Sequence, residues 1–264
     1  MSGYRAWPYA RVLAHRGGGI LAPENTLGAI RVGIAHGFLA VEFDAMLARD
    51  DTPVLMHDPT LRRTALMPGA VTDFSAAELR QVDVGRWHSP RFAGERVPTL
   101  DETLAFCRHE GVWCNVEIKP TPGREMATGR LVADRVAHAY ADRLGSGGAR
   151  QESVVPAVPL LSSFSIDALE AARAASPDLP RGWLIDRVPS DWRTRVDELG
   201  CVALHTNHRY LTATRVAEIK AAGAWLFCYT VNEPARAREI LAWGVDAFCT
   251  DRLDLIGADF AARG

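Results

Sequence analysis

Two short charged pairs stand out in this 264-residue chain for their spacing: Glu42-Phe43-Asp44 and Glu117-Ile118-Lys119. In a β-strand, residues two apart share a face. Glu42 and Asp44 would then point the same way, with Cα atoms about 6.6 Å apart, while Val41 and Phe43 point oppositely. The same rule puts Glu117 and Lys119 on one face, with Val116 and Ile118 on the other. If the apolar set packs on helices, three carboxylates converge on the opposite side. Such a cluster repels itself and is costly to bury. A hard divalent cation removes that cost, because Mg²⁺ and Ca²⁺ prefer carboxylate oxygens. The plainer alternative is that the acids pair with arginines on a solvated rim.

His15 and His57 are set apart from the other histidines because each closes a β-rich apolar run. Two imidazoles at one site suit proton shuttling near neutral pH: one deprotonates a nucleophile and the other protonates a leaving oxygen. Ligation of a softer metal is the competing role. His36, His88, His109 and His138 are read as structural, as are His205 and His208, although Asn207 between them is a candidate substrate contact. Arg16 and Lys119 bring positive charge to the acidic cluster, and with a cation the set suits a phosphoryl group. Lys119 is one of two lysines, with Lys220, against 28 arginines. Gly17-Gly18-Gly19 lets backbone approach a ligand closely, a weak signal alone. The sequence contains no GxxxxGK[ST], GxSxG or HExxH pattern, which disfavours a P-loop protein, a serine hydrolase and a zincin.

These residues need elements to aim them. Nine apolar β-rich runs occur: Arg11–His15, Leu39–Leu47, Val54–His57, Val112–Lys119, Pro159–Phe164, Gly182–Asp186, Val202–Thr206, Trp225–Val231 and Val245–Thr250. Ala/Leu/Arg-rich helical runs separate most of them. Alternation of this kind implies parallel pairing. Only a turn-like segment lies between Leu47 and Val54, and a parallel crossover needs a dozen or more residues, so this pair should be an antiparallel hairpin. Removing the returning strand leaves eight units, the count of a (β/α)8 TIM barrel. Residues 48–98 then form an insertion after strand two, holding the return strand, a short helix near Ser75–Val82 and a loop. Helix signals agree: Asn25 or Thr26 as a cap with Gly37 closing, Thr99-Leu100-Asp101-Glu102 as a capping box, Ser165 as a cap, and Pro234 opening a helix closed by Gly244. Active sites of this architecture sit at the C-terminal strand ends, where His15, Glu42, Asp44, Glu117 and Lys119 fall.

Composition narrows the classes. With 48% hydrophobic residues, 23% charged residues and a net charge of −2, the chain suits a globular domain and offers no electrostatic case for nucleic acid or anionic membranes. No apolar run approaches the roughly 18 residues of a membrane span, and Met1–Arg11 carries no signal-peptide core. Five scattered cysteines without a CxxC pair read as reduced, buried thiols. A cytoplasmic protein is expected, with oligomeric state left open.

The ordered set His15-Arg16-Gly17, Pro23-Glu24-Asn25-Thr26, Glu42-Phe43-Asp44, His57-Asp58 and Glu117-Ile118-Lys119 resembles the glycerophosphodiester phosphodiesterases. Pro98-Thr99-Leu100, Ser162-Ser163-Phe164, Thr230-Val231-Asn232 and Thr250-Asp251 continue the match, which runs from Arg11 to Ile256. The glycine-rich opening, Glu117-Ile118-Lys119-Pro120 and Leu179-Pro180-Arg181-Gly182 are most similar to the cytoplasmic bacterial branch associated with glycerol-3-phosphate uptake. The resemblance implies a TIM barrel with an insertion after strand two and a divalent cation, Mg²⁺ or Ca²⁺, on Glu42, Asp44 and Glu117. It implies His15 and His57 as the acid–base pair and Arg16 and Lys119 on the phosphate. Ser163, Asn207 and Tyr229 are the further candidate substrate contacts. Tyr229 stands where the family often has Trp, keeping an aromatic wall and adding a hydroxyl.

The implied reaction is hydrolysis of a small glycerophosphodiester to sn-glycerol 3-phosphate and an alcohol. Three rivals compete. A phospholipase of the same barrel type would call for an amphipathic membrane helix or basic patch, and neither is evident. A non-catalytic sugar-phosphate binder would call for a damaged constellation. A metal-dependent aldolase or isomerase barrel fits poorly with histidines flanking the Glu42/Asp44 strand.

Overall fold

The computed structural model describes residues 7–144 and 158–262. Residues 1–6, which begin the stretch read above for a leader, lie outside the described residues. Strands form in all nine expected windows: β1 (Val12–Ala14), β2 (Ala40–Leu47), β3 (Pro53–Leu55), β4 (Trp113–Ile118), β5 (Leu160–Ser163), β6 (Arg181–Ile185), β7 (Ala203–Asn207), β8 (Trp225–Tyr229) and β9 (Ala247–Thr250). Eight of them pair in parallel, β1-β2-β4-β5-β6-β7-β8-β9, and β9 returns to β1 to close the barrel. The exception is β3, which pairs antiparallel with β2, Ala45 opposite Leu55 and Leu47 opposite Pro53, and makes a single antiparallel bridge from Val54 to Thr99. The TIM barrel and its added hairpin are therefore present, and the short Ala48–Thr52 turn is the reason the chain reverses rather than crossing over.

The helices are α1 (Leu27–Ala35), α2 (Ala76–Leu79), α3 (Leu100–Glu110), α4 (Glu125–Ala139), α5 (Ile166–Ala175), α6 (Trp192–Leu199), α7 (Ala213–Ala221) and α8 (Pro234–Trp243). Their ends follow local chemistry. The Thr99 hydroxyl accepts from Glu102 N while the Glu102 carboxylate accepts from Thr99 N, closing a capping box at the start of α3. Ser75 and Glu78 repeat it on α2, and Ser165 caps α5. Pro234 is the first residue of α8, and Gly244 ends it in the left-handed conformation.

Outward-facing Val41, Phe43, Val116 and Ile118 are fully buried against the helix layer, so the alternate residues of β2 and β4 must point into the barrel. Below the mouth the interior is packed by Leu13, Trp113, Leu160, Ala203 and Phe227. Trp7 and Tyr9 close the floor, with Tyr9 stacked on Trp113 at 4.0 Å between ring centroids. A separate apolar cluster holds the insertion: Met46 and Ala48 from the β2 end meet Val54, Leu61, Val71 and Leu79. No helix among the described residues is long and apolar enough to cross a membrane. All five cysteines are free and buried, as their context in the sequence suggests.

Candidate active site

Register brings the acids together. Asp44 on β2 lies opposite Glu117 on β4, two residues beyond the Glu42–Asn115 pair. One carboxylate oxygen from each of Glu42, Asp44 and Glu117 lies within 4.8 Å of the others. Glu42 and Asp44 are 4% and 1% exposed, which rules out the solvated-rim alternative. Lys119 Nζ lies 3.2 Å from both Asp44 Oδ1 and Glu117 Oε1. Arg16 Nε approaches Asp44 Oδ2 at 3.5 Å. Burial and the neighbouring Asp44 charge push the carboxyls of Glu42 and Glu117 upward. Burial acts the same way on Asp44, but Lys119 and Arg16 outweigh it and hold that carboxyl low. The cluster is thus short of positive charge, and an all-carboxylate set this compact fits a hard divalent cation.

Both histidines sit at this end, each anchored by a carboxylate. His15 follows β1, and its Nδ1 lies 2.5 Å from Asp251 Oδ1, while its Nε2 is 3.7 Å from Glu42 Oε2. His57 follows β3, with Nδ1 2.7 Å from Asp58 Oδ1. A carboxylate only accepts, so each ring donates from Nδ1 and keeps Nε2 for chemistry. Burial disfavours the His15 imidazolium, yet Asp251 and Glu42 raise its pKa above the ordinary value. Burial lowers that of His57, and Arg16 and Lys119 work in the same direction.

Local backbone sets these side chains. Asn25 adopts φ +57 and donates from Nδ2 to Asp44 Oδ2 at 2.8 Å, while its Oδ1 accepts from Asp44 N at 3.0 Å. Thr26, not Asn25, caps α1 by accepting from Ala29 N. Asn232 presents a matching clamp to Asp251, donating to Oδ2 and accepting from its N–H, both at 2.8 Å. The glycine run meets the chain itself: a Cβ on Gly19, which has φ +55, would lie 2.2 Å from the Asp251 carbonyl oxygen.

His15, Arg16, Glu42, Asp44, His57, Glu117 and Lys119 therefore converge. Ser163, Asn207 and Tyr229 have their polar atoms committed elsewhere. The buried Ser163 hydroxyl donates to Ile118 O at 2.7 Å, tying β5 to β4. Asn207 donates to Asp186 Oδ1 at 2.9 Å and accepts from Arg209 N. Tyr229 donates from its hydroxyl to Ile185 O at 3.0 Å, and its ring meets half-exposed Phe164 edge-on at 5.8 Å, so it contributes an apolar wall. The further partners, Asn25, Glu24, Asp58, Arg63, Asn232 and Asp251, are not among the site residues the sequence points to, Asn25 being expected only as a helix cap. The motifs around five of them were the available signal, and Arg63 had none.

A sequence model of the glycerophosphoryl diester phosphodiesterase family matches residues 15–255. The chain belongs to this family. YhdW of Bacillus subtilis is 30% identical over 255 residues, covering 94% of this phosphodiesterase and 97% of itself. The glycerophosphodiester phosphodiesterase of Caldanaerobacter subterraneus is 28% identical over 245 residues, with 91% and 93% covered. Among solved structures, an Oleispira antarctica phosphodiesterase in complex with its product sn-glycerol-3-phosphate superposes with a TM-score of 0.83 at 32% identity, covering 96% and 97% of the two chains. This phosphodiesterase is accordingly a hydrolase of glycerophosphodiesters on a TIM barrel.

Proposed function

We propose that the enzyme releases sn-glycerol 3-phosphate and an alcohol from small glycerophosphodiesters by acid–base catalysis shared between His15 and His57. The observation that carries this reading is the convergence of two carboxylate-anchored imidazoles on one compact cluster of three acids. Glu42, Asp44 and Glu117 would hold a divalent cation, Mg²⁺ or Ca²⁺, which when bound supplies Lewis-acid charge next to a phosphoryl oxygen. Arg16 and Lys119 bind the equatorial phosphoryl oxygens. In support, Arg16 Nε is buried without a hydrogen-bond partner among the described residues.

The chain's own residues supply the proton steps. Nε2 of one imidazole takes a proton from the attacking oxygen, either water, which yields sn-glycerol 3-phosphate directly, or the glycerol 2-hydroxyl, which yields a cyclic phosphodiester that water opens in a second displacement of the same kind. As the new P–O bond forms, the P–O bond to the alcohol breaks, and the second imidazole gives its proton to the departing oxygen. Asp251 and Asp58 keep each ring in the tautomer that leaves Nε2 free. Arg16 and Lys119 stabilise charge gathering on the equatorial oxygens. Tyr229 and Phe164 form an apolar wall at the mouth, and reduced buried cysteines fit a cytoplasmic site of action. A coupled glycerol-3-phosphate assay over several soluble diesters and a lysophospholipid, with and without chelator, tests the reading. Product from the soluble diesters that chelation abolishes is expected. Tight diester binding without product, or turnover of the lysophospholipid alone, would overturn it.

A further inference from the structure

We propose that Arg63, on the insertion, is a positioning residue that aims His57 and Arg16 together, acting through Asp58 on one side and Glu24 on the other. The proposal rests on the two-histidine reading above. Arg63 Nε donates to Asp58 Oδ2 at 2.6 Å, and the other oxygen of that carboxylate receives His57 Nδ1 at 2.7 Å. From the same guanidinium, Nη1 and Nη2 donate to the two oxygens of Glu24 at 2.5 and 2.8 Å. Glu24 Oε1 also accepts from Arg16 Nη1 at 2.8 Å. One planar group thus connects the ring that handles protons with the guanidinium that faces the phosphate.

The topology gives this connection its meaning. Glu24 belongs to the loop after β1, whereas His57, Asp58 and Arg63 ride on the insertion after β2. Without Arg63, no described ion pair ties the Asp58 carboxylate to the barrel loop. Arg16 shares the same joint: its one side-chain hydrogen bond among the described residues goes to Glu24 Oε1, and its Nε adds only a longer ion pair of 3.5 Å to Asp44. Trp87, another insertion residue, holds the face of the fork, with Arg63 Cζ 5.9 Å from its ring centroid. Three N–H vectors in one plane serve two carboxylates, a geometry that a lysine ammonium does not reproduce. The Arg63 side chain is 42% exposed, which limits what its ion pairs add to global stability.

The test compares Arg63→Ala, Arg63→Lys and His57→Ala with the wild type. It measures glycerophosphocholine turnover, sn-glycerol 3-phosphate affinity by calorimetry, melting temperature, and turnover with millimolar guanidinium added. Arg63→Ala should lose about 10²-fold in kcat/KM, the scale of a slightly misplaced catalytic group. It should also bind sn-glycerol 3-phosphate more weakly, with its melting temperature nearly unchanged. Lysine should recover little, and guanidinium should restore part of the lost kcat in Arg63→Ala while leaving His57→Ala inactive. Near-wild-type kinetics in Arg63→Ala beside an inactive His57→Ala would overturn the proposal. So would a loss that guanidinium does not relieve and that follows a fall in melting temperature. Normal turnover by His57→Ala overturns the underlying two-histidine reading instead, and the Arg16 half of the proposal is then decided by sn-glycerol 3-phosphate affinity.

Discussion

Asp251 Oδ1 lies 2.5 Å from His15 Nδ1, joining the last barrel strand to the first across the closure of the sheet. The carboxylate is itself held by Asn232, so the imidazole is fixed from behind by two residues in series. Asp251→Asn keeps the shape but replaces one carboxylate oxygen by an NH2 donor; with Asn232 donating to the remaining oxygen, that donor faces His15 Nδ1 and favours the wrong tautomer. It should cost about 10²–10⁴-fold in kcat, a loss on the scale of acid–base catalysis itself. Steady-state kinetics beside circular dichroism would check this, and unchanged kcat in a folded variant would refute the role.

The histidines themselves set the reference. His15→Ala and His57→Ala should each reduce turnover by about 10²–10⁴-fold while the barrel stays folded. Neither ring donates to the core, and both are only partly buried side chains, so melting temperatures should stay close to the wild type. Near-normal rates in either variant would remove it from the mechanism.

Removing the cation should act on stability as well as rate. With the two buried carboxylates of Glu42 and Asp44 left facing the partly buried Glu117, a chelated sample should melt earlier and lose activity, and added Mg²⁺ or Ca²⁺ should restore both. Glu117→Gln should weaken metal binding in a calorimetric titration. Full activity in a metal-stripped sample would refute the site.

His205 predicts an acid limb to stability. The ring is fully buried in the barrel, stacked on Phe227 at 4.6 Å, with neither nitrogen hydrogen-bonded to a described residue. Burial lowers its pKa from 6.5 to about 3. Between those values the unfolded chain takes a proton that the native ring refuses. The stability this group contributes is therefore present above pH 6.5 and is lost as pH falls toward 3. The slope is about 1.4 kcal/mol per pH unit. Urea unfolding from neutral to acidic pH should show a shallower decline in His205→Asn than in the wild type. Parallel curves would show that the group does not titrate with folding.

Much of this was open to reading along the chain, for local reasons. The Leu47-to-Val54 gap is too short for a crossover, so the hairpin followed from reach alone, and the alternation in Val41–Asp44 and Val116–Lys119 set which side chains enter the mouth. The partners that position the chemistry were not local. Asp251 is 236 residues from His15, and Arg63 is 39 residues from Glu24. Arg63 is an ordinary charged residue until the fold joins it to Glu24, and Asp251 is marked along the chain only by the Thr250-Asp251 motif. At Ser163 and Asn207 the sequence offered two uses, because a polar residue at a strand end is equally able to bind substrate or to satisfy a neighbouring main-chain or rim group; the second kind of bond is formed at both. Asn25 was legible as a capping candidate, but its left-handed backbone turns the amide onto Asp44 instead.

The insertion packs around its own apolar centre, of Val54, Leu61, Val71 and Leu79, apart from the main core. A region whose core is separate from the main one, touching the barrel through Met46 of β2, can open as a cooperative unit at a lower free-energy cost than the whole molecule. His57 and Arg63 would leave with it, while the three acids and His15 stayed on the closed sheet. Warming should then extinguish turnover reversibly before the barrel melts, and amide exchange should be faster across residues 54–97 than across the parallel strands.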